Sequence, residues 1–450
     1  MDRGGGISTA AGMAYPDGQT PHDPRVWWTT FVEVIARLRA AAQVWNLAGV
    51  VLCGRGRGLA LLDEAERPLV FPWDAVEARV SAVAPYVSNQ HARIASWANL
   101  VAAVRHAAPG VGTRIRAVLT VKDYVNFCLT GRKATDPGSA GAESWPPASG
   151  FGLDGIALPG ILSGDQLLGE ATRAGLAIEP GTPVFVGSHD GVCANVGAGM
   201  LRPDEGCVTL GTTGVIRINT PTPVFLNESL NTFTYPFPAG AWTSGAEAVG
   251  TGSAIIWAAR LFGLFDGRPE QFDTGLAALD RLIASAPPGS EGVLFLPRLR
   301  DILSPRSAPD ARAAFHELTS RHTAAHLARA VMEASGFSLR MLSDALALQD
   351  VRARTLALTG GGAKSAVWPQ IMADVLDRPL HLAAPEASAR GAAMLGAVGL
   401  GWYEDLHSAT LGMASLGGTI TPAGEHRALY RGAYERFTKL VGRAEAAHPA

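Results

Sequence analysis

Apolar and polar positions follow two different periods along the chain, one typical of helices and one typical of strands. Apolar residues recur at helical spacing over residues 27–42, 254–264, 322–346 and 365–376. These stretches predict amphipathic helices, and a further helical region leads up to about residue 129. Short apolar runs predict buried strands at residues 47–53, 59–62, 183–186, 207–210, 215–219 and 355–358. Strands and helices that follow one another in this way indicate an α/β protein.

Two stretches interrupt this pattern. Residues 132–152 are polar and rich in Gly, Pro and Ser, which predicts a loop. Residues 221–240 are rich in Pro and Asn, which predicts a segment that crosses between domains. A chain of 450 residues is also longer than a single compact core usually requires. We therefore predict two domains, one over residues 1–220 and one over residues 221–450.

Composition narrows the class of protein. Apolar residues make up 47% and charged residues 17%, as expected for a globular protein, and the formal net charge of −2 offers no basic surplus for nucleic acid. The chain has no apolar run long enough for a bilayer, and its first residues lack the apolar core of a signal peptide. No C-x-x-C pair occurs among the four cysteines, so we expect neither a disulfide framework nor a zinc site. These features predict a cytoplasmic protein without a membrane or nucleic-acid partner.

Two glycine-rich turns are candidates for ligand contact. Residues 359–365 read Thr-Gly-Gly-Gly-Ala-Lys-Ser between a predicted strand and a predicted helix. Backbone amides in such a turn can approach an anionic group, and three successive glycines exceed what a tight turn needs. Residues 210–214 read Leu-Gly-Thr-Thr-Gly between two strands. This second turn is either a phosphate cradle or an ordinary hairpin loop, and the residues alone favour neither.

An aspartate follows another predicted strand. Residues 187–191 read Gly-Ser-His-Asp-Gly, so Asp190 lies at the carboxyl end of a strand, where ligands bind in open α/β sheets. There it could accept a hydroxyl proton during phosphoryl transfer. The alternatives are a helix cap or a turn aspartate, and taken alone a cap is the more frequent role. The chain contains neither a P-loop nor the H-R-D and D-F-G elements of protein kinases.

Taken together, these segments resemble the FGGY carbohydrate kinases, and among them the xylulokinase-like members. Residues 358–380 resemble the second signature of that family, and residues 187–199 with 211–214 resemble its catalytic-base strand and phosphate loop. The segment from Lys122-Asp123-Tyr124 to Thr135-Asp136 resembles a segment of its first domain, and residues 386–396 resemble its closing helix. The resemblance covers nearly the whole chain.

The resemblance implies a fold and an activity. The fold would be two actin-like, ribonuclease H-like ATPase domains that flank a central cleft, with the sugar and the base in the first domain and the nucleotide in the second. The reaction would be transfer of the γ-phosphoryl group of ATP, with Mg²⁺, to a hydroxyl of a small sugar or polyol, first of all a pentulose such as xylulose. A homodimer is a possible assembly.

The resemblance also implies site residues. Asp190 would be the general base, and no residue is assigned to the metal. The substrate-binding residues carried over are Arg57, Asp74, His189 and Asp190. The nucleotide-binding residues carried over are Gly211, Thr212, Thr213, Gly252, Gly361, Gly362 and Ser365.

The chain departs from the family pattern in three places. The family begins with a strand and a D-x-G-T turn that embraces the phosphates, and no such turn is present. The family's G-E-R-x-P segment would fall near Leu303-Ser304-Pro305, where the Glu-Arg pair is missing. The sugar-reading segments around residues 54–58 and 71–74 have also changed.

These departures leave three interpretations open. In the first, translation starts upstream of Met1 and the native protein is an active kinase of altered specificity. In the second, the chain is a degenerate pseudokinase that binds sugar or nucleotide without turnover. We prefer the first, because loss of a core strand would expose the edge of its neighbour. The third lies outside the family: an ATPase of the actin or chaperone type, whose turnover would not depend on a sugar.

Overall fold

The structure is a computed structural model of the 450-residue chain. It describes all residues except 14, 16–21, 44, 56–57, 77–91, 226–231, 267, 269–270, 300–311 and 448–450. Its strands are β1 (Val50–Gly54), β2 (Leu59–Leu62), β3 (Ala117–Thr120), β4 (Ala134–Thr135), β5 (Gly160–Ile161), β6 (Leu167–Glu170), β7 (Pro183–His189), β8 (Glu205–Leu210), β9 (Gly214–Thr220), β10 (Thr232–Phe237), β11 (Ala241–Ala248), β12 (Leu294–Leu296), β13 (Ala314–His316), β14 (Thr355–Thr359), β15 (Leu380–Ala383) and β16 (Leu416–Ile420).

Helices alternate with these strands. They are α1 (Pro24–Ala41), α2 (Ala92–Ala107), α3 (Pro109–Gly112), α4 (Val121–Thr130), α5 (Pro137–Ala140), α6 (Asp190–Gly197), α7 (Thr251–Leu261), α8 (Phe272–Ala284), α9 (Ala324–Ala347), α10 (Trp368–Leu376), α11 (Ala387–Gly399), α12 (Leu406–Met413) and α13 (Arg427–Ala447). None of the helices in the described part of the chain has the length and apolar character that crossing a membrane requires.

Two sheets organise the described residues. The smaller sheet has the strand order β1-β7-β6, in which β1 runs parallel to β7. The larger sheet has seven strands in the order β10-β11-β9-β8-β14-β15-β16, and β8 runs parallel to β14. The larger sheet takes its strands from Glu205 onward. The division of the chain between residues 220 and 221 stays a prediction.

Separate apolar cores accompany the two halves of the chain. One core is built around Trp97 with strand residues such as Leu61, and its members all lie between residues 59 and 158. A larger core spans residues 208–441 and includes Val331, Phe337 and Leu342 of α9, a helix that is buried on all sides from Ala328 to Leu339. Both cores bury large side chains fully, which supplies most of the stabilisation of a domain.

Several predicted elements are confirmed. The helices predicted at residues 27–42, 254–264, 322–346 and 365–376 correspond to α1, α7, α9 and α10, which differ from the predictions by a few residues at their ends. The six predicted strands are all present, as β1, β2, β7, β8, β9 and β14.

Three predictions are wrong in part. The region of 132–152 that predicted a loop contains β4 and α5, and the helical region before residue 129 contains the strand β3. The supposed crossing segment at 221–240 contains β10, which pairs with β11 along six residues. The sequence did not predict this strand because it contains Pro236. Because β10 is the edge strand of its sheet, a proline without an N–H is tolerated there.

Candidate active site

Asp190 lies at the junction of β7 and α6. Strand β7 runs parallel to β1, and the Cα atoms of His189 and Gly54 are partners in that ladder. Helix α6 begins at Asp190, whose side chain is 42% exposed. The carboxylate therefore lies on the surface of the molecule at the N-terminus of a helix.

The neighbouring His189 holds a defined tautomer. Its Nδ1 accepts a hydrogen bond from the backbone N–H of Gly191 at 3.2 Å, and its Nε2 lies 3.3 Å from Oδ1 of Asp190. Burial, which is the largest cause, lowers the pKa of His189 to about 4, so the ring is neutral at physiological pH. With Nδ1 as the acceptor, the single proton lies on Nε2 and points toward the carboxylate of Asp190.

A buried ionic network lies beneath this junction. Nζ of Lys122 is 2.5 Å from Oδ1 of Asp123 and 2.9 Å from Oδ1 of Asp136, and all three side chains are buried. Burial works against these charges, but the two carboxylates outweigh it and raise the pKa of Lys122. Burial also works against ionisation of Asp136, yet the Lys122 charge and several hydrogen bonds lower its pKa to about 2. Lys122 and Asp136 are therefore both ionised in the folded protein.

This network holds the end of β7. Oδ2 of Asp136 accepts hydrogen bonds from the Ser188 hydroxyl at 2.5 Å, from the Ser139 backbone N–H at 3.1 Å and, more weakly, from the His189 N–H at 3.4 Å. Nζ of Lys122 donates to the carbonyl of Val186 at 3.3 Å. Because these contacts end one residue before Asp190, they fix the backbone from which the carboxylate projects. Asp136 and Lys122 are positioning residues.

The two glycine turns leave the larger sheet side by side. Strands β8 and β14 are parallel neighbours, and Thr209 and Thr359 are partners in their ladder. The hydroxyls of these two threonines lie 2.8 Å apart. Since each turn begins at the carboxyl end of its strand, both occupy the edge of the sheet where ligands of α/β proteins bind.

The first turn, Gly211–Gly214, is packed against the start of α7. The backbone N–H groups of Gly252 and Ser253 both donate to the carbonyl of Thr212, at 3.0 and 3.2 Å. A Cβ atom on Gly252 would lie only 2.1 Å from the carbonyl oxygen of Gly211. Gly252 thus lies beneath the turn and supports it, while Thr212 is exposed.

The second turn, Gly360–Ser365, is anchored at one end and open at the other. Gly360 adopts φ +89° and approaches the carbonyl of Leu210 closely, which only glycine allows. A Cβ on Gly361 would meet nothing within 4 Å, so this residue faces open space. At the far end, the hydroxyl of Ser365 donates to Asp280 at 2.8 Å. Asp280, on α8, is a positioning residue that the sequence did not reveal.

Arg217, on β9, connects the two sides of the site. Its Nη1 donates to the hydroxyl of Thr209 at 2.9 Å. Its Nε lies 2.7 Å from the place that a Cβ on Gly191 would occupy. The guanidinium thus lies between the strand that carries the first glycine turn and the residue that follows Asp190. Sequence reasoning missed Arg217, although a single charged residue in the otherwise uncharged strand Gly214–Thr220 was a usable signal.

The remaining sequence candidates lie elsewhere. Asp74 is exposed next to Trp73, whose ring stacks on His22 at 3.8 Å. Within the described part of the chain, no hydrogen bond or ion pair joins Asp74 to His189 or Asp190. Arg57 and the segment Leu303-Ser304-Pro305 lie outside the described residues. The assignment of each candidate residue to sugar or nucleotide stays a prediction.

The described residues do not form a metal-binding site from protein side chains alone. No group of three or more His, Cys, Asp or Glu side chains among them is arranged to hold an ion. Mg²⁺ in phosphoryl-transfer enzymes is bound largely by substrate phosphates and water, with one or two carboxylates. We therefore assign no residue of this chain to Mg²⁺.

Comparisons with known proteins show which proteins this chain resembles. Residues 206–400 match the family described as "FGGY family of carbohydrate kinases, C-terminal domain". The xylulose kinase of Escherichia coli (strain K12) is 27% identical over 388 residues, which cover 80% of this chain and 77% of that relative. The gluconokinase of Bacillus subtilis (strain 168) is 31% identical over 228 residues, which cover 49% of this chain and 44% of that relative.

A solved structure shows the same fold. The gluconate kinase of Lactobacillus acidophilus superposes with a TM-score of 0.80 at 20% identity, over 98% of this chain and 92% of that chain. The predicted fold class, two actin-like, ribonuclease H-like domains that flank a central cleft, is therefore confirmed. Residues 206–400 thus form a C-terminal domain of the FGGY family of carbohydrate kinases, and the chain is a homologue of the xylulose kinases.

Proposed function

We propose that the protein transfers the γ-phosphoryl group of ATP to a hydroxyl of a small sugar or polyol, with Asp190 as the general base. One observation carries this proposal. A series of contacts connects Asp190 to the two glycine turns. Arg217 packs against Gly191, the residue after Asp190, and donates a hydrogen bond to Thr209 at the start of the first turn. The hydroxyl of Thr209 in turn contacts that of Thr359, at the start of the second turn. A proton acceptor and two phosphate-sized backbone turns thus meet at one edge of the fold.

The reaction follows from this arrangement. The acceptor hydroxyl gives its proton to a carboxylate oxygen of Asp190 as its oxygen bonds to the γ-phosphorus, and the bond from that phosphorus to the β–γ bridging oxygen breaks to release ADP. Backbone amides of Gly211, Thr212 and Thr213 would bind the phosphates, with Gly252 beneath them. Gly361, Gly362 and Ser365 would form the turn beside the nucleoside. Mg²⁺, when bound, neutralises charge on the phosphates.

The surroundings of Asp190 suit this role. The neutral His189 directs its Nε2 proton toward one carboxylate oxygen and leaves the other free for the acceptor. The hydroxyl of Ser388 donates to the Asp190 carbonyl at 3.2 Å, which steadies the backbone from the side of α11. Positioning of this kind is the main contribution that an enzyme makes to phosphoryl transfer.

The names of the relatives suggest an acceptor. Several relatives are named xylulose kinase, so a pentulose such as xylulose is the first acceptor to test. We further propose that the first domain holds the acceptor and the base, and that the second holds the nucleotide. Arg57 and Asp74 remain candidates for contacts to the sugar.

The test is an ADP-release assay with ATP, Mg²⁺ and a panel of sugars and polyols. Asp190→Asn should lower kcat by at least about 100-fold, since removal of a general base typically has that effect, and should leave ATP affinity nearly unchanged. Asp350→Asn is a matched control, because the Asp350 side chain is 98% exposed.

Three outcomes would contradict the proposal. Equal kcat of the wild type and Asp190→Asn would remove Asp190 from the mechanism. Binding of ATP or sugar by the wild type without turnover would support the pseudokinase interpretation instead. ATP hydrolysis that no sugar stimulates would support an ATPase of the actin or chaperone type.

A further inference from the structure

Arg217 is a partly buried cation for which the described residues supply no ion pair. Its side-chain hydrogen bond is donated by Nη1 to the hydroxyl of Thr209, which carries no charge. Its Nε is buried and has no hydrogen-bond partner. A charge that is removed from water without a counter-charge is strongly unfavourable, so such a group in a folded protein calls for an anion that completes it.

Tyr235 presents a second incomplete polar group at the same place. The residue is 2% exposed, and its Oη lies beside the Arg217 guanidinium without a hydrogen bond of good geometry among the described residues. A Cβ on Gly191 would lie 2.6 Å from this Oη and 2.7 Å from Nε of Arg217. Both polar groups therefore converge on the residue after Asp190, and glycine at position 191 leaves the room that they occupy.

Charges of both signs surround His189. Burial is the main cause of its low pKa; the negative charge of Asp190 opposes this effect, and the positive charges of Arg93 and Arg217 reinforce it. Asp136 is already paired with Lys122. An acceptor with a negative charge would therefore find its opposite charge on the side of Arg217.

We infer that the acceptor site takes polyhydroxy carboxylates of the aldonate class in addition to a neutral sugar, and that Arg217, with Tyr235 beside it, binds the carboxylate. The inference rests on the proposed kinase function and deepens its acceptor. A guanidinium matches a carboxylate in shape and charge, and a tyrosine hydroxyl can donate a further hydrogen bond. The Bacillus subtilis relative that is 31% identical is named gluconokinase, which agrees with an acid acceptor.

A second anion that could serve as the counter-ion of Arg217 is the γ-phosphate of ATP, because Thr209 leads into the first glycine turn. The two sources have different consequences. A carboxylate contact acts only on acid acceptors, whereas a γ-phosphate contact acts on every acceptor alike. A pair of acceptors that differ only at the carboxylate therefore separates them, and D-gluconate with D-glucitol is such a pair.

The experiment compares kcat/KM for D-gluconate and D-glucitol in the wild type, Arg217→Gln and Tyr235→Phe. We expect the wild type to favour gluconate, and Arg217→Gln to lower that preference by roughly 10- to 100-fold, the usual range for loss of a hydrogen bond to a charged group. Tyr235→Phe should lower it several-fold. Arg354→Gln is a matched control, since Arg354 forms ion pairs while 62% exposed, and it should leave the preference unchanged.

Calorimetric titration with D-gluconate and D-glucitol in the absence of ATP keeps this inference separate from the proposed function. If no acceptor is phosphorylated, the kinase proposal fails, but weaker gluconate binding by Arg217→Gln would still support the carboxylate site. Two results would overturn the inference. One is a wild type that binds gluconate no more tightly than glucitol, and the other is an Arg217→Gln variant, shown by circular dichroism to be folded, that loses activity equally on both acceptors.

Discussion

Lys122→Met is the change that most directly tests how the base is held in place. The Lys122 side chain is 1% exposed and lies within 3 Å of two carboxylates that are equally buried. Methionine keeps most of the apolar stem but removes the charge, so Asp123 and Asp136 would be left buried without a cation. Loss of one partner from a buried ion pair costs about 3–5 kcal/mol in the free energy of unfolding.

The expected shift in melting temperature follows from this free energy. For a cooperative unit of 150–250 residues, each kcal/mol lowers Tm by about 2–4 °C, so the first unfolding transition of Lys122→Met should fall by roughly 6–20 °C. Scanning calorimetry at pH 7 measures this shift. Lys133→Met is the matched control, because Lys133 pairs with Glu66 on the surface with its side chain 30% exposed. Exposed pairs contribute only about 0–1 kcal/mol.

A second variant separates the charge effect from packing. Lys122→Met/Asp136→Asn removes one of the stranded carboxylates and should recover part of the lost stability. The asparagine can still accept a hydrogen bond from Ser188. If Lys122→Met melts within about 2 °C of the Lys133→Met control, or if the double variant is no more stable than the single one, the network does not hold this part of the fold as argued.

Two further variants test other parts of the site. The pKa of His189 is about 4 in the folded protein and about 6.5 in the unfolded chain. Between these pH values the unfolded state binds more protons than the folded state. The free energy of unfolding therefore falls by roughly 3 kcal/mol as the pH drops from 6.5 to 4. Urea midpoints should show this loss in the wild type and not in His189→Asn, and Asp136 adds its own loss only below about pH 4. Gly252→Ala would place a Cβ 2.1 Å from the Gly211 carbonyl oxygen and should weaken ATP affinity at least about tenfold by fluorescence titration. Gly442→Ala, on α13, should not, because a Cβ there would meet nothing within 4 Å.

The sequence predicted those parts of the site that carry a local signal. Both glycine turns follow apolar strands directly, and Gly360 shows why: the turn needs a positive φ and a close approach to Leu210. Asp190 was a candidate for the same reason, since it closely follows the apolar run 183–186 and precedes a stretch of small residues. Three or four neighbouring residues suffice to specify each of these features.

Other parts of the site depend on contacts between residues far apart in the chain. Asp136 meets Ser188 across 52 positions, and Ser365 meets Asp280 across 85. Nothing in the local pattern around either aspartate distinguishes it from a surface carboxylate. Arg217 differs, because a lone charge inside an apolar strand is visible in the sequence; what the sequence does not show is that Thr209 and Gly191 lie on either side of it.

The helix that begins at Asp190 also packs against α11, which follows the second glycine turn in the chain. A Cβ on Gly197 would lie 1.8 Å from the carbonyl oxygen of Ala387, and a Cβ on Gly391 would lie 1.9 Å from that of Cys193. The backbones of α6 and α11 are therefore in direct contact, with no side chain between them to absorb a displacement. Any shift of α11 must be transmitted to the helix that begins at Asp190. The contact thus couples Asp190, the proposed base, to the helix that follows the second glycine turn.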